Sequence, residues 1–280
     1  MNAAVHSFPA PAKLNLMLRV VGRRADGYHL LQTVFRFIDY GDTLNFSVRG
    51  DGVIARANAV DGIAAEDDLS VRAARLLKRA SGTALGADIT LEKRLPKGGG
   101  LGGGSSDAAT TLLALNRLWQ IDMPRAQLLE LAVQLGADVP VFVFGDNAFA
   151  EGIGEQLTPI VLPPAWYVVL TPPVAVSTAR VFSHPELKRD SKMITIQSFS
   201  VGSAGNDLEP LVCREYPEVA RHLEWLRQFA PARMTGSGAG VFADFGTESA
   251  ARGVLARLPA TMKGFVAQGL MQHPLRDLAH

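Results

Sequence analysis

Apolar and polar positions alternate near the start of the chain, where Leu14, Leu16 and Leu18 are set against Asn15 and Arg19. A polar loop from Gly22 to His29 separates this run from a second, Thr33 to Ile38. Period-two alternation on both sides of a glycine-containing loop predicts an antiparallel pair of strands. The period then changes: Leu69, Ala73, Leu76 and Leu77 recur at helical spacing, with Asp67 or Asp68 placed to cap the start and Ser81-Gly82 to close the end. From Ala87 to Leu95 alternation returns, with Ile89, Leu91 and Leu95 on one side and Thr90, Glu92 and Arg94 on the other, as expected of a strand in a sheet with one wet face. Ala108, Leu112, Leu115 and Trp119 mark a helix over Ser105–Trp119, and a second starts at Pro124 and stops at Gly136. Beyond a proline-rich stretch, the pattern gives a strand at Tyr167–Leu170, helices between Asp207 and Phe229, and a strand pair around Gly236–Gly240. A helix after Thr247 and a last strand near Phe265 complete it. This mixture predicts an α+β protein of two domains, residues 1–160 and 161–280, the second a sheet with helices on one side.

Composition narrows the partners. A chain of 280 residues can hold two cores of unequal size. Its 28 Lys and Arg balance 27 Asp and Glu, so no global field draws it to nucleic acid or to an anionic membrane, and any phosphate site must be local. A single cysteine, Cys213, excludes an internal disulfide framework and a thiolate zinc cluster, fits a reducing cytoplasm, and is expected to serve packing. The apolar stretch Leu14–Val21 is interrupted or flanked by Lys13, Asn15 and Arg19 and lacks a cleavage site, so it is not read as a signal peptide. The longest uncharged stretch, Gln156–Ala179, could span a bilayer by length, but Pro159, Pro163, Pro164, Pro172 and Pro173 argue against a spanning helix.

The chemistry concentrates in Pro96-Lys97-Gly98-Gly99-Gly100-Leu101-Gly102-Gly103-Gly104-Ser105-Ser106. Six glycines in the seven positions Gly98 to Gly104 leave backbone N–H groups unshielded and free to take positive φ, and they feed the positive end of a helix. That combination is a polyphosphate cradle, in which Ser105 and Ser106 could cap the helix or offer hydroxyls to phosphate or Mg²⁺. Gly98-x-Gly100-x-x-Gly103 also fits a dinucleotide fingerprint, with Asp122 near the required distance, but no βαβ unit opens the chain. A P-loop is excluded because Lys97 precedes the glycines and no Gly-Lys-Ser/Thr follows them.

Pro96 through Ala109 resembles the second motif of the GHMP kinases, the galactose, homoserine, mevalonate and phosphomevalonate kinase superfamily. Pro11-Ala12-Lys13-Leu14-Asn15-Leu16 resembles its first motif, and Met234-Thr235-Gly236-Ser237-Gly238-Ala239-Gly240 its third. The order of the three, spread over almost the whole chain, implies the two-domain GHMP fold: an N-terminal ribosomal-S5-like α/β domain and a C-terminal ferredoxin-like α+β domain. Arg24-Ala25-Asp26-Gly27-Tyr28-His29, Gly102 to Ala109 and Gly136-Ala137-Asp138-Val139-Pro140 are most similar to the branch that phosphorylates a cytidine diphosphate substrate of the non-mevalonate (MEP) isoprenoid pathway.

The resemblance implies ATP with Mg²⁺ as co-substrate and a small-molecule acceptor, with no nucleic acid and no membrane as partner, in a monomer or weak homodimer. It implies Asp138 as catalytic base and Lys13 as its charge partner. Taken alone, Asp138 reads more readily as an N-cap for the next short helix, and Lys13 equally well as a strand-end lysine reaching water. It further implies that Asn15, Tyr28, His29, Thr178 and Phe182 line the acceptor pocket, that Pro96–Ser106 hold ATP, and that Gly236, Ser237 and Gly238 form the third loop. A His offers one donor and one acceptor to a pyrimidine edge and a Tyr can stack on the ring; alternatively Tyr28 starts the next strand's core. The chain departs from the family in having Asp68, where an Asn usually precedes the leucine near the adenine. Glu151 and Glu155 carry no sign of metal ligation, so metal residues are unassigned. Another GHMP kinase, for mevalonate, homoserine or a sugar, and an RNA-binding module are the competing readings, the latter disfavoured by the neutral charge.

Overall fold

The computed structural model describes residues 4–60, 62–201 and 205–280. Its spine is a pair of long antiparallel strands, β1 (Val5–Arg23) and β2 (His29–Arg49). Among the described strands β1 pairs only with β2, apart from an isolated bridge at Leu18, so Pro9 and Pro11 remove no hydrogen bond from an interior ladder. Register shifts at Pro11/Ala12, Asn15/Met17 and Val20/Gly22 bend the pair. Where it crosses tightly, Gly41 is required, because a Cβ there would lie 2.1 Å from the Ala10 carbonyl oxygen. On β2, the C-terminal half pairs with β4 (Gly86–Glu92) and the N-terminal half with β5 (Ala148–Glu151). β3 (Ile54–Arg56), parallel to β4, and β6 (Gln156–Pro159) complete a six-stranded sheet.

Helices α1 (Leu69–Ser81), α2 (Gly103–Leu118), α3 (Arg125–Leu135) and α4 (Val139–Phe144) cover one face of that sheet. Phe35, Phe37, Leu44, Phe46, Ile89 and Leu91 pack there against Leu77, Leu112, Leu115 and Phe142. Each such large side chain contributes about 1.5–3 kcal/mol relative to exposure. On β4's other side Glu92 is exposed and accepts from Asn45, the wet face that alternation predicts. Asp68, not Asp67, caps α1, and Gly82 closes it in the left-handed conformation.

The second sheet runs β10 (Gly264–Gln268), β7 (Trp166–Leu170), β9 (Val241–Phe245), β8 (Ala232–Met234), all antiparallel. It is accompanied by α5 (Thr178–Ser183), α6 (Glu209–Glu215), α7 (Pro217–Arg227) and α8 (Glu248–Leu255). Cys213 packs half-buried on this core, and burial pushes its thiol up to about 11. The expected boundary at residue 160 falls between β6 and β7, yet β1 serves both sides: Leu18 and Val20 enter the second core. Leu14, Leu16 and Met17 join Tyr167, Val169 and Phe242 in a third cluster between the sheets. The chain's end returns to the first domain, where Leu275 and Ala279 join its core and Leu270 N–H donates to the Phe37 carbonyl at 2.8 Å.

Candidate active site

Two cavities meet at the glycine loop. One, about 710 Å³, lies toward β1, β2 and α5; the other, about 500 Å³, lies toward α1 and β4. Gly98, Gly100, Gly102 and Ser105 belong to both walls. The three glycines take φ of +69°, +70° and +73°, which a side chain would strain. Gly100 is also pressed on the third loop, since a Cβ there would sit 2.2 Å from the Thr235 carbonyl oxygen. Ala239 N–H and Gly240 N–H donate to the carbonyls of Gly98 and Gly99, both at 3.0 Å, so the second and third motifs form one structure.

Helix α2 starts two residues before the expected Ser105. Gly102 is its N-cap, without a side-chain cap bond, and the first helical bond runs from Ser106 N–H to the Gly102 carbonyl at 2.8 Å. The N–H groups of Gly103, Gly104 and Ser105 precede that bond and lie at the positive end of the helix. The expected capping role of Ser105 and Ser106 is therefore corrected, because both residues lie inside the first turn. Ser106 is fully buried and its hydroxyl donates to the Pro11 carbonyl at 2.7 Å, so it does not offer that hydroxyl to a phosphate. Leu101 points its side chain into the inter-sheet cluster while its carbonyl accepts from Lys13 N–H at 3.0 Å. Pro96, Lys97 and Gly98 to Ser105 line the smaller cavity, where Lys97 Nζ donates to the Gly62 carbonyl at 2.8 Å.

Lys13 and Asp138 come together in the wall of the larger cavity, Nζ to Oδ2 at 3.1 Å. Lys13 is 2% exposed and also donates to Asn15 Oδ1 at 2.5 Å, so β1 holds its ammonium inside the protein and not at a strand end in water. Asp138 stands at the N-cap position of α4 but makes no side-chain cap bond, which frees its carboxylate, 37% exposed, for the lysine and the cavity. Asn15 is fixed in turn: its Nδ2 donates to Thr33 Oγ1 at 2.8 Å, and its backbone N–H donates to Thr235 Oγ1 at 2.9 Å.

The remaining residues expected on the acceptor side line the same cavity. Tyr28 is 60% exposed and lines the wall instead of starting a core. His29 lies against Phe182, ring centroids 5.0 Å apart. Thr178 Oγ1 and Ser237 Oγ are 2.6 Å apart and tie the start of α5 to the third loop, and Gly236, Ser237 and Gly238 line the cavity with them. Burial, then the charges of Arg189 and Arg23, hold the His29 pKa below its ordinary value.

Lys93 and Asp42 carried no legible signal in the sequence. Lys93 Nζ donates to Asp107 Oδ2 at 2.8 Å and to Asp42 Oδ2; Lys93 and Asp107 line the smaller cavity. Asp42 also accepts from the N–H groups of Arg94 and Leu95, at 2.6 and 2.8 Å. Burial, reinforced by the Asp42 and Asp68 charges and only partly offset by Lys93, pushes the Asp107 carboxyl up to about 7. Asp68 lines that cavity too, neutralised by Arg56 at 2.9 Å. Glu151 accepts from Gln32 at 2.8 Å and Glu155 from Ile153 N–H at 2.6 Å. Among the described residues no cluster of three or more His, Cys, Asp or Glu could hold a metal, and no helix is long and apolar enough to cross a membrane.

Known proteins are similar to this chain in sequence and fold. The models of the GHMP kinases N terminal domain and GHMP kinases C terminal match residues 68–146 and 191–264. A 4-diphosphocytidyl-2-C-methyl-D-erythritol kinase of Nitrosospira multiformis is 67% identical over 276 residues, covering 98% of this chain and 94% of that protein. One from Thiobacillus denitrificans is 64% identical, covering 97% and 98%. The chain belongs to the 4-diphosphocytidyl-2-C-methyl-D-erythritol kinases of the GHMP family. A crystal structure of 4-(cytidine 5'-diphospho)-2C-methyl-D-erythritol kinase superposes with a TM-score of 0.82 at 35% identity, covering 94% of this chain and 99% of the other. A homoserine kinase from Cytophaga hutchinsonii, at TM-score 0.70 and 16% identity over 98% and 96% of the two chains, shares the fold. The kinase family and the expected two-domain GHMP α+β fold therefore stand.

Proposed function

We propose that the chain transfers the γ-phosphoryl group of ATP to the 2-hydroxyl of 4-diphosphocytidyl-2-C-methyl-D-erythritol, a step of the non-mevalonate (MEP) pathway to isoprenoids. The observation that carries this reading is the pair of cavities joined at the glycine loop, with Lys13 and Asp138 on the acceptor side of the junction. ATP occupies the smaller cavity, its phosphates laid over the N–H groups of the loop and the start of α2. The acceptor occupies the larger one, its cytosine between Tyr28 and Phe182 beside His29, with Asn15 and Thr178 along the path to the reacting hydroxyl. Asp138 takes the hydroxyl proton as the oxygen bonds to the γ-phosphorus and the bond to the β,γ-bridging oxygen breaks, releasing ADP. Lys13 holds the Asp138 carboxylate at the junction and stabilises charge on the attacking oxygen.

Mg²⁺, when bound with ATP, neutralises phosphate charge. The donors that this chain directs to the junction, the Ser105 hydroxyl and the Asp138 carboxylate, suit an ion held mainly by phosphate oxygens and water. Mevalonate, homoserine or galactose would use the same phosphate residues but would leave Tyr28, His29 and Phe182 without a ring to hold. Phosphotransfer from ATP to a panel of cytidine-diphospho-methylerythritol, mevalonate, homoserine and galactose tests the reading. Turnover of the cytidine compound alone is expected; turnover of mevalonate in its place would sink it.

A further inference from the structure

We infer that Arg189 fixes the tautomer of His29 and thereby makes the acceptor cavity select cytosine over uracil. The inference rests on the proposed reading of that cavity as a cytidine site. Arg189 Nε donates to His29 Nε2 at 3.0 Å. A guanidinium has donors and no acceptor, and it stays protonated throughout the working pH range. The lone pair facing it must therefore belong to Nε2, so the proton of the neutral imidazole sits on Nδ1. Burial and the cations Arg189 and Arg23 disfavour a second proton on the ring, which keeps Nε2 an acceptor near neutral pH. Among the described residues no protein group bonds Nδ1, and His29 lines the cavity, so Nδ1–H is the polar group its ring has left for a ligand.

The same guanidinium sets where that donor stands. Its Nη2 donates to the carbonyls of Phe182 and His184, at 3.1 and 2.7 Å, and its Nη1 to that of Leu187 at 3.0 Å. Phe182 is the ring on which His29 rests. Arg189 is not among the residues lining the cavity, so it is a positioning residue that acts through His29. At the edge that Nδ1–H can reach, cytosine presents N3 as an acceptor, whereas uracil presents N3–H. Cytosine completes the bond; uracil sets donor against donor and leaves two N–H groups unpaired in a partly desolvated site.

The test compares kcat/KM for the cytidine-diphospho and uridine-diphospho forms of methylerythritol in wild type, Arg189→Gln and Arg189→Lys, with ¹⁵N shifts of His29 in the free proteins. Glutamine can accept as well as donate, so R189Q should let the proton occupy either nitrogen and lower the cytidine-to-uridine ratio by roughly 10- to 100-fold. R189K is still only a donor and should keep the ratio, even where both rates fall because the carbonyl bonds are lost. The wild-type ¹⁵N shifts should report the Nδ1–H tautomer. An R189Q enzyme slowed equally on both nucleotides, or an Nε2–H tautomer in wild type, would overturn the inference. A wild type that turns over neither nucleotide would instead sink the acceptor reading and take the selectivity with it, while the ¹⁵N shifts would still decide what Arg189 does to His29.

Discussion

Two lysine–aspartate pairs lie on either side of the glycine loop, and their burial is inverted. In the larger cavity Lys13 is the buried member, 2% exposed, and Asp138 opens to the cavity at 37%. In the smaller cavity Asp107 is the buried member at 4%, and Lys93 is the more open one at 26%. Desolvation therefore falls on the cation in one pair and on the carboxyl in the other. Burial pushes the Asp107 carboxyl up to about 7, and its Oδ1 is left without a partner, whereas Asp138 keeps an open face from which to take a proton. Identical residue types at similar separations thus suit different work: the first pair fits the proton transfer we propose, the second a hold between the end of β4 and the start of α2. Distance alone does not tell a reactive pair from a structural one; which member water can reach does.

The largest test of this contrast is chemical. Asp138→Asn should lower kcat by about 10²- to 10⁴-fold while the melting temperature moves by only a few degrees, as read by steady-state kinetics beside thermal melts. Lys13→Met should behave alike, because the carboxylate that it abandons can rehydrate. Near-normal turnover in either variant would remove the pair from the chemistry.

The next effect is on stability. Lys93→Met strands Asp42 and Asp107 in the interior without their cation and should cost about 3–5 kcal/mol in a denaturant titration, far more than Lys13→Met. Equal losses from the two lysine variants would break the comparison.

The smallest effect is a slope. Because the folded-state pKa of Asp107 lies above its unfolded value of 3.8, the folded protein binds more protons between that value and about 7, so this residue makes stability fall as pH rises through that window. Asp107→Asn removes the titration. Its melting temperature relative to wild type should therefore be higher at pH 8 than at pH 4; a difference that does not change with pH would show that the carboxyl ionises normally.

Much of this site was legible before folding because it is written in local pattern. A glycine tract between an alternating strand and an amphipathic helix predicts a loop of left-handed backbone whatever surrounds it, and Gly98, Gly100 and Gly102 do take the positive φ that only glycine accepts freely. The α1 helix was equally readable, from its apolar spacing to the cap at Asp68 and the stop at Gly82. Less was legible where one residue type serves several purposes. Adjacent serines read alike, yet Ser105 lines both cavities and Ser106 is buried on the Pro11 carbonyl, because successive helical residues point about 100° apart. β1 extends past the expected alternation because Pro9 and Pro11 hide a strand that tolerates them on its free edge.

By itself, then, the sequence determined the kinase family and its two-domain α+β fold, and it offered the glycine loop, Lys13, Asp138, Tyr28 and His29 as candidates, all of them held in short motifs whose backbone demands are local. Beyond the Lys13–Asp138 pair, tertiary structure alone decided which charges meet. Arg189 reaches His29 across 160 residues of chain, and Lys93 reaches Asp42 across 51. No local periodicity encodes such pairings: they exist only once burial has removed water from the alternatives and left each charge the partners that the fold brings to it.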